Sequence, residues 1–153
     1  MKSIHEWFEA YGVSHQNKTN KLIHWICVPS IFFSIYGLFF AIPPFVEGSA
    51  YLNAGNLLLV GVLAFYFRLS PKLGVGMLLY AIAVVTLTML LAQSLTMDYW
   101  LFSLIIFVVA WIGQFIGHHI EGAKPSFFQD LQFLLIGPAW VISFLYKKLG
   151  ISY

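Results

Sequence analysis

From Leu73 to Leu95 the chain carries no charged side chain. A helix needs roughly 20 consecutive apolar residues to cross the hydrocarbon core of a bilayer, about 30 Å thick, and this run exceeds that length. Three further apolar runs accompany it. One extends from Leu22 to Ala41, stops at Pro43-Pro44 and carries Pro29 as an expected kink. Another covers residues 50–67, interrupted by Asn53 and Asn56 and closed by Arg68-Leu69-Ser70-Pro71-Lys72. The last runs from Tyr99 to Ile116, after the turn Thr96-Met97-Asp98. The chain is 60% hydrophobic and only 9% charged, too little charge for a soluble surface, so the expectation is an all-α integral membrane four-helix bundle, one domain over residues 1–153.

The ends of the chain are read differently. Ile4, Trp7, Phe8 and Tyr11 recur at helical spacing with Glu6 and Glu9 off that face, the pattern of a short interfacial amphipathic helix lying on the membrane. The first twenty residues contain no apolar signal-peptide core, so the first hydrophobic helix is expected to act as its own insertion signal. The final apolar stretch, within residues 127–147, is short and interrupted by Gly137-Pro138; a re-entrant or interfacial helical hairpin is expected there. Cys27 is single, which excludes an internal disulfide.

Charge placement orients the bundle. Lys2, Lys18, Lys21, Arg68, Lys72 and Lys124 all fall at one end of the expected spans, whereas the opposite loops hold only Glu47 and Asp98. The positive-inside rule makes the lysine-bearing end cytoplasmic, together with both termini. A net charge of +2 is too slight to suggest nucleic acid as a partner; the bilayer is the expected one.

Two polar clusters fall at that same end. Residues 14–24 contain His15, Asn20 and His24, and residues 114–125 contain Gln114, His118, His119, Glu121 and Lys124. Ionisable groups next to hydrocarbon are costly, so their concentration marks a functional site. His15 and His24 are nine residues apart, roughly 13 Å of helical rise, and share a site only if the chain reverses between them, with Thr19 or Asn20 capping the following helix. Neutral imidazole is the commonest metal ligand, and an open site of His and carboxylate suits Fe(II) that must also bind O2 and substrate. Successive residues on a helix diverge by about 100°, so His118 and His119 reach one ion only if the helix frays, which Gly117, Gly122 and Pro125 favour. Glu121 is equally suited to be a ligand or a partner that orients an imidazole. Gln114 is placed either to bond the His118 ring or a bound oxygen species, or to make an ordinary interhelical hydrogen bond. Lys124 is suited either to hold a carboxylate at the membrane surface or simply to snorkel there. His5, among interfacial residues, reads as a structural group.

The pattern His15-x4-Asn20-x3-His24, followed by Gln114-x2-Gly117-His118-x2-Glu121-Gly122-x-Lys124-Pro125, resembles the 2-hydroxy fatty acid dioxygenase family over essentially the whole chain. The resemblance implies Fe(II)-dependent oxidative removal of one carbon from 2-hydroxy fatty acids, a step of fatty-acid α-oxidation. It implies His15, His24, His118 and His119 as metal ligands, Glu121, Gln114 and Asn20 as their support, and Lys124 as the partner of the substrate carboxylate. It also implies the inner membrane of a bacterium or the endoplasmic reticulum of a eukaryote. Two other classes compete: a haem b or other metal-binding electron-transfer protein, and a non-catalytic membrane protein such as a transporter. The second predicts polar groups at mid-membrane, where only Ser34, Thr86, Thr88 and Ser103 stand.

Overall fold

The computed structural model describes residues 2–47, 49, 51–122 and 127–153, with side chains undescribed for residues 127–131. Six helices occupy the described residues and no strand does: α1 (Ile4–Gly12), α2 (Lys18–Phe40), α3 (Ala54–Leu69), α4 (Pro71–Ser94), α5 (Tyr99–Glu121) and α6 (Phe127–Lys148). Of these, α2, α4 and α5 are long and apolar enough to cross a membrane, whereas α3, at 16 residues, is shorter. The all-helical membrane bundle expected from the sequence is therefore present. The second span starts four residues later than expected because Asn53 caps it, its side chain accepting the N–H of Asn56 at 2.9 Å.

Local chemistry sets the remaining boundaries. Ser3 and Glu6 form a reciprocal capping box that starts α1. The cap of α2 is Asn17 rather than Thr19 or Asn20: its Oδ1 accepts from Thr19 N at 2.8 Å and Asn20 N at 3.4 Å. Capping by Asn17, two residues before Thr19 and three before Asn20, leaves the Asn20 side chain to the site. Ser70 caps α4, with Pro71 in the first turn, where its missing N–H costs nothing.

Helices α2 and α5 run antiparallel in close contact. Gly113 and Gly117 sit one turn apart on α5 and face Cys27 and the Asn20–His24 turn of α2, the small-residue approach that lets helices pack where hydrocarbon supplies no hydrophobic drive. Return passes by α3 and α4 complete the bundle. Tyr36, Leu59, Ala81 and Val84 form one part of the core, and Tyr66, Met77 and Ala139 another.

Two expectations about the chain ends are corrected. The C-terminal segment is not a hairpin: α6 continues unbroken through Gly137-Pro138. Proline removes one intrahelical donor and disturbs the turn before it; in that turn the Leu135 carbonyl accepts the Tyr66 hydroxyl from α3. The amphipathic helix α1 exists as expected, but protein covers its apolar face. Ile4 packs with Leu73 and Tyr146, and Tyr11 with Phe133, Ile136 and Trp140 of α6.

Candidate functional site

The turn between α1 and α2 folds His15 back over His24, as their spacing required. Both rings are 1% exposed and their centres stand 4.2 Å apart. His118, arriving on α5, lies 5.0 Å from His24 and 5.8 Å from His15, centre to centre. Two parts of the chain more than ninety positions apart thus bring three imidazoles together.

Hydrogen bonds decide what two of these rings offer. His15 Nδ1 lies 2.6 Å from the Tyr11 carbonyl, and His24 Nδ1 lies 3.0 Å from the Asn20 carbonyl. A carbonyl only accepts, so both Nδ1 atoms carry the proton and both Nε2 atoms present a lone pair. His15 Nε2 is buried and has no hydrogen-bond partner among the described residues. The His15 ring is held flat against Tyr11, at 4.1 Å and 8°, with Trp140 at 5.5 Å. Burial pushes the His15 imidazole down to about 4; the Tyr11 carbonyl opposes this and nearby His118 adds to it, so the ring is neutral near pH 7.

Glu121 and Asn20 form the frame of the site. Glu121 accepts the backbone N–H groups of Gln16 at 2.7 Å and Asn17 at 2.9 Å, and the Asn20 amide at 2.9 Å. Both carboxylate oxygens are therefore engaged in clamping the end of α5 to the turn that carries His15. Of the two roles open to Glu121, the described contacts match the supporting one. Asn20, fully buried, also donates to the Ser14 carbonyl at 3.1 Å, and its carbonyl supports His24. A Cβ at Gly117 would collide with Asn20 Oδ1 and press on the His24 ring, so only glycine admits α5 this close.

Gln114 is buried, and its side chain hydrogen-bonds His24 across the helix pair, the interhelical alternative of the two roles open to it and not a bond to His118. His119 is not brought to the cluster. The expected fraying does not occur: α5 stays helical through Glu121 and ends at Gly122, whose φ of 72° is a left-handed stop. His119 therefore projects about 100° from His118, and it is exposed. Lys124 lies outside the described residues. His5 is exposed and stacks with Tyr153 at 5.9 Å, apart from the site.

The rings border a cavity of about 40 Å³, also lined by Tyr11, Val28, Trp111, Gln114 and Phe133. It has room for an ion and small oxygen ligands, since about 10–15 Å³ on this measure holds one water. Among the described residues, no three His, Cys, Asp or Glu side chains stand close enough as they are to hold a metal. The donor set nonetheless suits one. An ion about 2.1 Å from two imidazole nitrogens, at 90–120°, sets the ring centres roughly 4.6–5.6 Å apart, and the observed 4.2, 5.0 and 5.8 Å bracket that range.

Sequence reasoning overlooked Tyr11, Trp140, Trp111 and the pair Gly113-x3-Gly117. Two signals were available: Tyr11 stands one helical turn before His15, and two glycines at that spacing are a known helix-contact pattern. No curated protein and no solved structure matches the chain. The sequence profile described as Mpo1-like, 2-hydroxy-palmitic acid dioxygenase Mpo1-like, matches residues 1–149, a span that takes in both histidine segments and all six helices, and the chain belongs to that family.

Proposed function

We propose that the protein is an Fe(II)-dependent dioxygenase that shortens 2-hydroxy fatty acids by one carbon. The observation that carries this reading is that His15 and His24 each turn Nδ1 to a backbone carbonyl, which leaves Nε2 as the lone-pair atom, and that both rings line one buried cavity with His118. In this account His15, His24 and His118 hold iron, and bound iron supplies a common site for O2 and for the carboxylate and hydroxyl of the substrate. The chain's own residues do the rest. The Tyr11 and Asn20 carbonyls fix the tautomers and raise imidazole basicity, as acceptors behind metal-bound histidines do. Glu121 holds the two histidine segments in register, Gln114 restrains His24, and burial keeps bulk water from the reacting carbons.

Lys124 follows Glu121 closely enough in sequence to meet the substrate carboxylate at the membrane surface, and we assign it that role. The reaction RCH(OH)COOH + O2 → RCOOH + CO2 + H2O balances with electrons from the substrate alone, so no second reductant enters. The haem reading loses ground on size, because a cavity of about 40 Å³ does not admit a macrocycle.

The test is O2 uptake by detergent-purified, Fe(II)-loaded protein given 2-hydroxypalmitate or palmitate. One O2 consumed per pentadecanoate formed, with palmitate inert, is the expected result. Equal oxidation of both acids, or of neither, contradicts the proposal.

A further inference from the structure

The histidine cavity is too small for a fatty acid, so the tail must leave it, and three consecutive cavities mark a route. The first, at the histidines, includes Val28 and Ile31 of α2 and Leu134 of α6. The second, about 90 Å³, shares Leu134 with it and continues along α2 with Phe32 and Ile35, now against Leu58 and Val62 of α3. The third, about 560 Å³, shares Leu58, Val62 and Leu135 with the second and reaches Phe39, Leu57 and Gly61. On α2 the positions 24, 28, 31/32, 35/36 and 39 recur at helical spacing, so His24 and all three cavities lie on one face.

The dimensions fit a single occupant. Val28 to Phe39 is eleven steps, about 16 Å of rise, and one leaflet's acyl chain fills about 15 Å, half of the roughly 30 Å hydrocarbon core. The path runs parallel to a spanning helix. Its walls in the second and third cavities are apolar except for Tyr36, whose hydroxyl is bonded to Asn56 at 2.9 Å. At the far end Leu57 is 65% exposed, so the seam opens toward lipid.

We propose that the acyl tail of the 2-hydroxy acid lies in this seam between α2, α3 and α6, running from Val28 to Phe39, and that the distal α3 residues around Gly61 measure its length. The proposal rests on the functional reading above, which supplies the head group. A tail lying in bulk lipid would gain nothing less by burial, so the seam acts by positioning the head: an obstructed tail displaces the reacting carbons, and a displacement of about 1 Å costs on the order of a hundredfold in rate.

Gly61 offers a clean obstruction, because a Cβ built there meets nothing within 4 Å. In Gly61→Phe protein the ratio of kcat/KM for 2-hydroxypalmitate to that for 2-hydroxyoctanoate should fall at least tenfold from wild type. A second measurement needs no variant: 2-hydroxypalmitate carrying a photoreactive diazirine at its methyl end should label α3 peptides containing Ala54–Gly61. It should spare the comparable lipid-facing groove at Ala83 and Leu87 of α4, which shares no residue with the histidine cavity. An unchanged ratio, or labelling spread equally over α3 and α4, overturns the proposal. If wild-type protein oxidises neither acid, the functional reading fails, and the labelling map alone decides whether α3 receives the tail.

Discussion

In the proposed iron site Glu121 is a support and not a ligand, because its hydrogen bonds already engage both carboxylate oxygens. A carboxylate that accepts two backbone N–H groups and the Asn20 amide has its acceptor directions largely used, and each such charge-assisted bond is worth roughly 1.5–3 kcal/mol. Glu121→Gln should therefore retain most of the iron bound by wild type while lowering unfolding stability by roughly 1.5–3 kcal/mol; loss of iron at unchanged stability would make Glu121 a ligand instead. His15 yields a prediction in pH. Its folded value of about 4 lies below the ordinary 6.5, so the unfolded chain binds the extra proton first. The corresponding stability is complete above about pH 6.5 and is lost as pH falls toward 4. Between pH 7 and 4.5, metal-free protein should lose roughly 2–3 kcal/mol from this group. Denaturant titrations at the two pH values check it, and His15→Gln should remove that part of the loss.

At the scale of the helices, the sequence made the spans legible because their signal, a long run without charge, is local. Leu73–Leu95 and Tyr99–Ile116 were readable in this way, and the structure moves their ends by only a few residues, apart from the extension of α5 to Glu121. What stayed illegible depended on partners far along the chain. Gly137-Pro138 reads as a break, yet α6 passes through it, with the Leu135 carbonyl tied to Tyr66 more than sixty positions away. Gly117 reads as a point of fraying, and its role is contact with Asn20 and His24 across the helix pair. The same distinction holds at the site. His15, His24 and His118 were identifiable by residue type, whereas the separation of His119 from them followed only from the helix remaining intact. Gly117→Ala tests the reading. The added methyl overpacks the α2–α5 contact at a cost of roughly 1–3 kcal/mol, and by displacing Asn20 it should lower iron occupancy as well as thermal stability. A variant with normal values of both would remove Gly117 from the site's architecture.

Across the whole molecule, the arrangement places polar chemistry at one end of an apolar bundle. Lys72 and the C-terminal turn meet there, since Tyr146 donates to the Lys72 carbonyl at 2.7 Å and Lys72 to the Ser152 hydroxyl at 3.0 Å. Lys18 and Lys21 enter α2 beside the histidines. We take this basic end to be cytoplasmic on the positive-inside rule. In a Cys27→Ser background, cysteines placed at positions 47 or 98 should react with an impermeant thiol reagent only from the opposite side; labelling from the cytoplasm would reverse the orientation. The central claim is that three histidines, two with tautomers set by backbone carbonyls, form one iron site. It is tested most directly by iron stoichiometry in anaerobically reconstituted protein and its single His→Ala variants. The account predicts about one iron per wild-type chain, near-complete loss in His15→Ala, His24→Ala and His118→Ala, and full occupancy in His5→Ala and His119→Ala. Wild-type occupancy in His24→Ala or His118→Ala, or loss in His119→Ala equal to that in His118→Ala, would contradict it.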